Sequence, residues 1–297
     1  MFVVGTLFCL WLGPRANRAH QQRLAVQRIV QANGLVAYDR RPDEVRAPAW
    51  LKTLAGDDFF RTVDGVHLDT PLEKLDEVVD AMRSLPRLRR LTFKDTGVLD
   101  DDLARLAPLK HQLEELYFYE LPFGKLTGSG LRHLSGWPRL KRLDMGSGNL
   151  KAAALSHVAD LPALEHLTWS SCPLDAQAFT AICQCGNLRS LTLWGCEFDG
   201  DSLIVLKGTR HLERVHLMNM VVGRQDRGST QQGASEKFDY HFFAKSSPFD
   251  TANPYSATPP TGFGTIVSSF DTTRDEFTAW LKRILPGIEV SEFWINN

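Results

Sequence analysis

Cysteine, histidine and aspartate are the residue types in this 297-residue chain whose spacing could support chemistry. Cysteines at matched spacing bind zinc, and a histidine beside a nucleophile acts as a general base. The five cysteines are irregularly spaced, and Cys183 and Cys185 have no second pair that would complete a tetrahedral site. The nine histidines are dispersed, and neither a Gly-x-Ser-x-Gly motif nor a glycine-rich phosphate loop occurs. We therefore predict no catalytic residue, no metal site and no cofactor, and a chain that is not an enzyme.

Two further groups of residues could be taken for metal or redox sites. Asp100, Asp101 and Asp102 are consecutive carboxylates, but they precede a helix-like segment, where acidic side chains cap the helix and interact favourably with its dipole. Cys172 and Cys196 are spaced so that a disulfide or a shared metal can be considered. Because they occupy equivalent positions in consecutive sequence repeats, two small buried hydrophobes are the better interpretation. We predict structural roles for both groups.

An internal repeat of the form Leu-x-x-Leu-x-Leu, with conservative replacements, is the most specific pattern in the sequence. Its successive starts are 25, 25, 27, 24, 24 and 24 residues apart. Such a period is typical of leucine-rich repeats, in which each unit is a strand followed by a helical return. The starts are Val63, Leu88, Leu113, Leu140, Leu164, Leu188 and Leu212.

Apolar residues at a spacing of three follow most of these strand segments, as in Leu103, Leu106 and Leu109. This spacing predicts a helical return between strands. One unit cannot bury its apolar face alone, so the units stack and their strands form a parallel sheet. We therefore predict an α/β fold: a leucine-rich-repeat solenoid, or horseshoe, with a parallel sheet on its concave face and helices on its convex face.

The repeats occupy residues 63–222, and the other segments flank or interrupt the solenoid. Residues 17–62 are predicted to cap the first repeat, because the end of a solenoid otherwise exposes its core. Residues 223–270 are rich in Gly, Ser and Pro, which predicts a disordered or loosely packed insertion. Residues 271–297 are predicted to form a C-terminal cap of one helix and one strand. The apolar residues 1–16 form a separate N-terminal segment.

The first twelve residues, MFVVGTLFCLWL, carry no charged side chain and are followed by a basic stretch. A helix needs ~17–25 apolar residues to cross a bilayer, so this run is too short. A signal peptide would begin with a basic segment, and none precedes the run. Two interpretations remain open: an interfacial or incomplete anchor, and a transmembrane helix whose first part is missing from this sequence, which we favour. We expect a single-pass membrane protein, with the side of the repeat domain undetermined.

Four motifs follow one another before the repeats, and they are Leu10-Trp-Leu-Gly13, Asn17-Arg-Ala-His-Gln-Gln-Arg-Leu-Ala-Val26, Gly34-Leu-Val-Ala-Tyr-Asp39 and Gly56-Asp-Asp-Phe-Phe60. In this order they resemble a family of membrane-anchored leucine-rich-repeat proteins abundant in planctomycete bacteria. The resemblance covers residues 10–222. The apolar helix is shorter at its start than in that family, and the insertion after residue 222 is not part of its pattern. The resemblance implies a membrane-attached repeat domain and names no ligand.

The predicted concave face carries a ladder of charges that alternate in sign from repeat to repeat. The ladder consists of Arg89, Glu114, Lys141, Glu165, Arg189 and Glu213. Opposite charges on adjacent strands stabilise a sheet modestly, so this ladder neutralises itself. Aromatic side chains outside the ladder are the better candidates for binding, because exposed Tyr and Trp are common anchors at interfaces. The candidate binding residues are Tyr117, Tyr119, Trp194 and, further along, His216.

These features predict a non-catalytic protein–protein interaction module, tethered to a membrane by its N-terminal segment, that binds a protein or peptide on its concave face. The alternative is a substrate-recruiting adaptor subunit of a ubiquitin-ligase-like complex. Such adaptors carry a helical motif before their repeats, and residues 1–62 contain none that we recognise. The balance of 34 basic and 35 acidic residues argues against nucleic acid as a partner. The sequence predicts neither the ligand nor the oligomeric state.

Overall fold

The structure is a computed structural model that describes the chain up to residue 223, with short gaps, and two stretches near its end. The described residues are 2–41, 44–45, 47, 53, 56–69, 74–94, 96–119, 126–146, 149–209, 211–218, 221–223, 282–283 and 285–290. The predicted insertion at 223–270 lies outside the described residues from 224 onward. The helix predicted within 271–297 lies largely outside them as well.

Strands and helical segments alternate through the described repeats. The strands are β1 Gly34–Tyr38, β2 Val63–Leu68, β3 Arg90–Lys94, β4 Glu115–Tyr119, β5 Arg142–Gly146, β6 His166–Ser170, β7 Pro173–Leu174, β8 Ser190–Trp194, β9 Glu197–Asp199, β10 Arg214–Met218, β11 Val221–Gly223 and β12 Glu289–Val290. The α-helices are α1 Phe2–Gln31, α2 Asp57–Phe60, α3 Leu75–Arg83, α4 Asp102–Arg105 and α5 Ala176–Cys183. The 3-10 helices are Ala107–Leu109, Ser129–Leu134, Ala152–Asp160 and Gly200–Gly208.

Nine of the described strands form one sheet in the order β1-β2-β3-β4-β5-β6-β8-β10-β12. β1 is antiparallel to β2, and every later pair in this order is parallel. The register aligns the central apolar residue of each repeat in one row, and that row is Val66, Leu91, Leu116, Leu143, Leu167, Leu191 and Val215. The repeat alignment and the parallel sheet are therefore confirmed. The fold is a leucine-rich-repeat solenoid.

The convex returns are mixed α-helical and 3-10 helical. A 3-10 helix has three residues per turn, so apolar side chains at a spacing of three all lie along one edge. Leu131 and Leu134 in one 3-10 helix, and Leu155 and Val158 in the next, are fully buried in this way. The sequence predicted helices on this face, and the spacing of three occurs in both types, since Phe179 and Ile182 are buried on the α-helix Ala176–Cys183.

The N-terminal segments pack on the first repeat. Helix α1 is continuous from Phe2 to Gln31 and includes Pro14, although the sequence placed a boundary between residues 16 and 17. Near its C-terminal end, Ile29 is fully buried in the core of the repeats. The buried Gln22 donates from Nε2 to the carbonyl oxygen of Arg61 at 2.9 Å and accepts at Oε1 from the N–H of Val63 at 3.2 Å. In the described part of the chain, no helix combines the length and the hydropathy that a membrane span requires.

Cys172 and Cys196 are buried, free thiols, as the repeat register predicted. The indole N–H of Trp169 donates to Cys172 Sγ at 3.1 Å, and Cys196 Sγ donates to the carbonyl oxygen of Trp169 at 3.4 Å. Burial raises the pKa of Cys196 to about 12, so this thiol stays protonated and unreactive at neutral pH. Both residues act as small hydrophobes at the turn that follows a strand.

Asp100 corrects the interpretation of the three consecutive aspartates. It does not cap the helix that follows it; its carboxylate reaches the next repeat instead. Asp100 Oδ2 accepts from the N–H and the hydroxyl of Thr127 at 3.0 and 2.7 Å, and Oδ1 accepts from the N–H of Gly130 at 2.8 Å. Burial alone would raise the pKa of Asp100, but these hydrogen bonds outweigh it and hold the pKa below its usual range. Asp100 therefore joins two repeats at the start of a 3-10 helix.

Replacing Asp100 by alanine should lower the free energy of unfolding by about 1–3 kcal/mol, because it leaves several donors of the next repeat without their acceptor. Asp101 supplies a matched control, since its side chain is 89% exposed and forms only a surface ion pair with Arg132 at 3.3 Å. Asp101→Ala should change stability by less than about 0.5 kcal/mol. Urea denaturation of both variants measures the difference, and equal losses would contradict the role assigned to Asp100.

Candidate functional site

The concave face of the sheet presents parallel columns of side chains that alternate with core residues. In β4, Leu116 and Phe118 are fully buried, whereas the residues between and after them are not. The register aligns His67 of β2 with the third residues of the later strands in one column, which consists of His67, Thr92, Tyr117, Asp144, Thr168, Thr192 and His216. The fifth residues form a second column, which consists of Lys94, Tyr119, Gly146, Ser170, Trp194 and Met218.

Tyr117 and Tyr119 lie side by side on β4, as their period-two spacing predicted. Their ring centroids are 5.7 Å apart and the rings are stacked at 27°. The hydroxyl of Tyr117 donates to Glu115 Oε2 at 2.6 Å, and that of Tyr119 donates to Asp144 Oδ2 at 3.2 Å. Burial and the neighbouring carboxylates raise the pKa of both phenols, so both remain hydrogen-bond donors at physiological pH. The pair is held rigidly on the face of the sheet.

Asp144 is the residue at this face that the sequence analysis missed. It lies beside Tyr117 in the register and accepts hydrogen bonds from Tyr119 and from the side chain of Thr168. Burial raises the pKa of Asp144 to about 6, and these hydrogen bonds and the charge of Arg142 offset only part of that effect. The signal in the sequence was a lone acidic residue at the outward position of a strand whose neighbouring strand presents two tyrosines.

Trp194 and Tyr119 occupy the same column on β8 and β4, and two small residues separate them. Three strand spacings of ~4.8 Å place these two positions ~14 Å apart. Tyr119 pairs with Gly146 and Trp194 pairs with Ser170, on the neighbouring strands β5 and β6. The hydroxyl of Ser170 donates to the carbonyl oxygen of Met145 at 2.8 Å. We refer to this feature as the slot: Tyr119 and Trp194 are its walls, and Gly146 and Ser170 are its floor.

The glycine of the slot floor is required by the position of Tyr119. A Cβ atom at Gly146 would lie 2.8 Å from the backbone oxygen of Phe118 and 3.3 Å from Cδ1 of Tyr119. A side chain at this position would therefore displace the tyrosine ring from the next strand. Glycine lets the ring lie over β5, where its hydroxyl reaches Asp144.

Trp194 projects from a backbone that is hydrogen-bonded on both sides. Its carbonyl oxygen accepts from the N–H of Ser171 at 2.8 Å, and the N–H of Gly195 donates to the carbonyl oxygen of Met218 at 2.8 Å. Trp194 is nevertheless 53% exposed, whereas Phe93, Phe118 and Trp169, which point into the core, are fully buried. An exposed indole on a fixed strand contributes little to the core, and it is available to a partner.

His216 is separated from the tyrosines. It shares the column of Tyr117 but lies on β10, four strand spacings or ~19 Å away. It is paired with Thr192 and is therefore a diagonal neighbour of Trp194. Burial and the nearby Arg214 lower the pKa of His216, so it is predominantly neutral at pH 7. The structure thus brings Tyr117 and Tyr119 together, places Trp194 across the slot from them, and leaves His216 beyond it.

The charge ladder beside these columns forms ion pairs between strands. Glu114 Oε1 lies 2.7 Å from Arg139 and 3.9 Å from Arg89, and Glu114 Oε2 lies 3.9 Å from Lys141. Arg189 and Glu213 form a further pair at 3.2 Å. Exposed pairs of this kind contribute only about 0–1 kcal/mol each. Charges of both signs thus alternate along this margin of the sheet, and three cations share the carboxylate of Glu114.

No group of three or more His, Cys, Asp or Glu side chains within the described residues is arranged so that it could hold a metal ion. The concave histidines His67, His166 and His216 lie on different strands, and burial lowers the pKa of each. The face is therefore organised by aromatic rings and one desolvated carboxylate.

No protein-family profile matches the sequence, and no curated protein sequence matches it significantly. Similar solved structures include an internalin, InlF, from Listeria monocytogenes, with 19% identity and a TM-score of 0.39 over 50% of this chain and 45% of that one. Another is internalin C2 of the same species, with 17% identity and a TM-score of 0.34 over 55% of this chain and 75% of that one. This chain thus spans less than half the length of the first of these internalins.

Proposed function

We propose that this chain is a protein–protein interaction module without catalytic activity, and that it binds a protein or peptide on its concave face. The observation that supports this function is the pair of exposed rings, Trp194 and Tyr119, on a rigid parallel sheet. Trp194 is 53% and Tyr119 is 37% exposed. Nothing in the described residues favours the adaptor role considered from the sequence, and we do not propose it.

The energetics of association favour this part of the face. Binding energy is concentrated in a few aromatic or arginine side chains near the centre of an interface. Side chains that are already ordered lose little conformational entropy when a partner binds. The stacked rings of Tyr117 and Tyr119 and the fixed backbone of Trp194 meet this requirement. A partner that covers the slot would bury both walls at once.

In the test, the purified protein is used to select binding peptides from a phage library of random dodecapeptides. The affinity of these peptides is then measured for variants of the protein. Trp194→Ala and Tyr119→Ala should each weaken binding by about 2 kcal/mol, or roughly thirtyfold. Thermal unfolding should change little for Trp194→Ala, because the indole is mostly exposed. Ile204 is a matched control, since it is 40% exposed on the 3-10 helix Gly200–Gly208 of the convex side.

Ile204→Ala should leave the affinity of the selected peptides unchanged. If both wall variants bind these peptides as tightly as the original chain does, the concave face is not the binding surface. If Trp194→Ala unfolds readily and still binds, the ring belongs to the packing of the fold and the proposal fails.

We also propose that the N-terminal segment at residues 1–16 attaches the protein to a membrane. The support is its uncharged apolar run, followed directly by Arg15, Arg18 and Arg23, since basic residues flank apolar segments at membrane surfaces. The full chain should sediment with liposomes that contain anionic lipid, and a variant that begins at Ala16 should remain in the supernatant. Equal sedimentation of the two proteins would contradict this attachment.

A further inference from the structure

The slot is the part of the concave face between the exposed rings of Tyr119 and Trp194, and its floor carries no large side chain. Gly146 has no side chain, and Ser170 is buried with its hydroxyl turned to the backbone. Thr168 lies beside this floor in the neighbouring column. Because the ring of Tyr119 leans over Gly146, β6 with Ser170 and Thr168 is the strand that remains between this ring and Trp194. An extended side chain of a partner that lies over β6 would contact both rings.

The carboxylate of Asp144 lies at one end of the slot, in contact with the side chain of Tyr119. Asp144 Oδ2 is 3.2 Å from the hydroxyl of Tyr119, and Thr168 donates a hydrogen bond to the same carboxylate. Burial penalises the charge of Asp144, and the two neutral donors together with the charge of Arg142 offset this penalty only in part. A cation that entered the slot would compensate more of the lost solvation.

The other charged groups of the concave face lie outside the slot. Arg142, Glu115, His166 and Arg214 occupy the first position of their strands, two residues before the row of Asp144 and four residues before the slot floor. Four residues along a strand correspond to ~13 Å. Lys94 is on β3, on the far side of Tyr119 from the slot. Asp144 lies one position from the slot floor, and Arg142, two residues before it on the same strand, is the cation whose charge acts on its carboxylate.

We propose that the slot receives a lysine or arginine side chain of the bound protein or peptide, held between Tyr119 and Trp194 and paired with Asp144. The inference rests on the proposed function, because it names the chemistry that the same face selects. Aromatic faces attract cations within about 6 Å of the ring centroid, and tryptophan does so most strongly. A carboxylate at the base of an aromatic recess adds a charge-assisted hydrogen bond.

An acidic side chain of a partner would meet the opposite conditions in the slot. It would lie beside the negative faces of the two rings and would be repelled by the Asp144 carboxylate. An apolar side chain could contact the rings but would desolvate Asp144 without supplying a counter-charge, which costs free energy. The recess therefore discriminates by charge as well as by shape.

The experiment uses the dodecapeptide library on the full chain, on Asp144→Asn and on Glu213→Gln. Asparagine keeps the shape of Asp144 and an oxygen that accepts from Tyr119, but it removes the charge. Glu213 is the matched control, because its side chain is 54% exposed and belongs to the charge ladder at the margin of the sheet. One selected peptide is then synthesised with its lysine or arginine replaced in turn by glutamine and by glutamate, and all affinities are measured near neutral pH.

Peptides selected on the full chain should be enriched in lysine and arginine relative to the unselected library. They should bind Asp144→Asn at least about tenfold more weakly, and Glu213→Gln within about twofold of the original affinity. Glutamine in place of the basic residue should cost about as much as Asp144→Asn, and the two changes combined should cost little more than either alone.

Two different failures can be told apart. If Trp194→Ala abolishes binding but the peptides are acidic or apolar, or bind Asp144→Asn as tightly as the original chain, the face is a binding surface and the cationic slot is refuted. If no selected peptide responds to Trp194→Ala, the proposed function itself fails, and the inference fails with it. Melting temperatures of all variants establish that each protein is folded.

Discussion

Gly130→Ala should destabilise the repeat domain by more than about 3 kcal/mol, although alanine is normally the better helix former by about 1 kcal/mol. Gly130 lies in the 3-10 helix Ser129–Leu134, where one repeat contacts the preceding one. A Cβ atom at this position would overlap the carbonyl oxygen of Asp100, and its next contacts are the carbonyl carbon and Cα of the same residue. Backbone atoms cannot rotate away as the end of a flexible side chain can, so the two repeats would have to separate.

The same substitution would also disturb the hydrogen bond from the N–H of Gly130 to Asp100 Oδ1, which is 2.8 Å long. Gly186 provides the matched control, since it has an ordinary backbone conformation and no atom within 4 Å of a Cβ built on it. Gly186→Ala should alter the free energy of unfolding by less than about 0.5 kcal/mol. Urea denaturation measures both variants, and similar stabilities for the two would show that the repeats do not approach each other as closely as described.

Asp144→Asn should stabilise the protein at about pH 7.5 and lose this advantage as the pH falls to about 4. Burial raises the pKa of Asp144 from 3.8 to about 6 in the folded state. The folded state therefore binds the proton more tightly than the unfolded state does. The stability contributed by that proton is fully present below about pH 3.8 and is lost as the pH rises through about 6.

At about pH 7.5, Asp144→Asn should raise the free energy of unfolding by about 1–3 kcal/mol. The upper end of this range corresponds to about 1.4 kcal/mol for each unit of pKa difference. The histidines of the concave face titrate in both proteins, so their effect cancels in the difference between the two. Urea denaturation at several pH values gives that difference directly. A gain that is constant with pH, or a loss at neutral pH, would mean that the carboxylate is well compensated in the free protein, and it would weaken the case for a cationic partner.

The repeat pattern determined the architecture, because the period and the alternation of apolar residues constrain a parallel stack very strongly. A shift of one residue in any strand would turn its leucines out of the core, so the register of Leu91, Leu116 and Leu143 follows from the sequence alone. The burial of Cys172 and Cys196 follows from the same register. The neighbouring rings of Tyr117 and Tyr119 were likewise predictable from their spacing of two.

Only the tertiary structure decided which side chains meet across repeats. Asp100 lies next to other aspartates in sequence, yet its carboxylate is used by Thr127 and Gly130 of the next unit. Asp144 is an isolated acid in the sequence, and its role depends on the tyrosine of β4 that leans over Gly146 toward it. A period predicts which positions are adjacent, but it does not predict in which direction a long side chain leans or which polar group loses its water. Those depend on the size of each neighbour one strand away, and here the absence of a side chain at Gly146 leaves space for the ring of Tyr119.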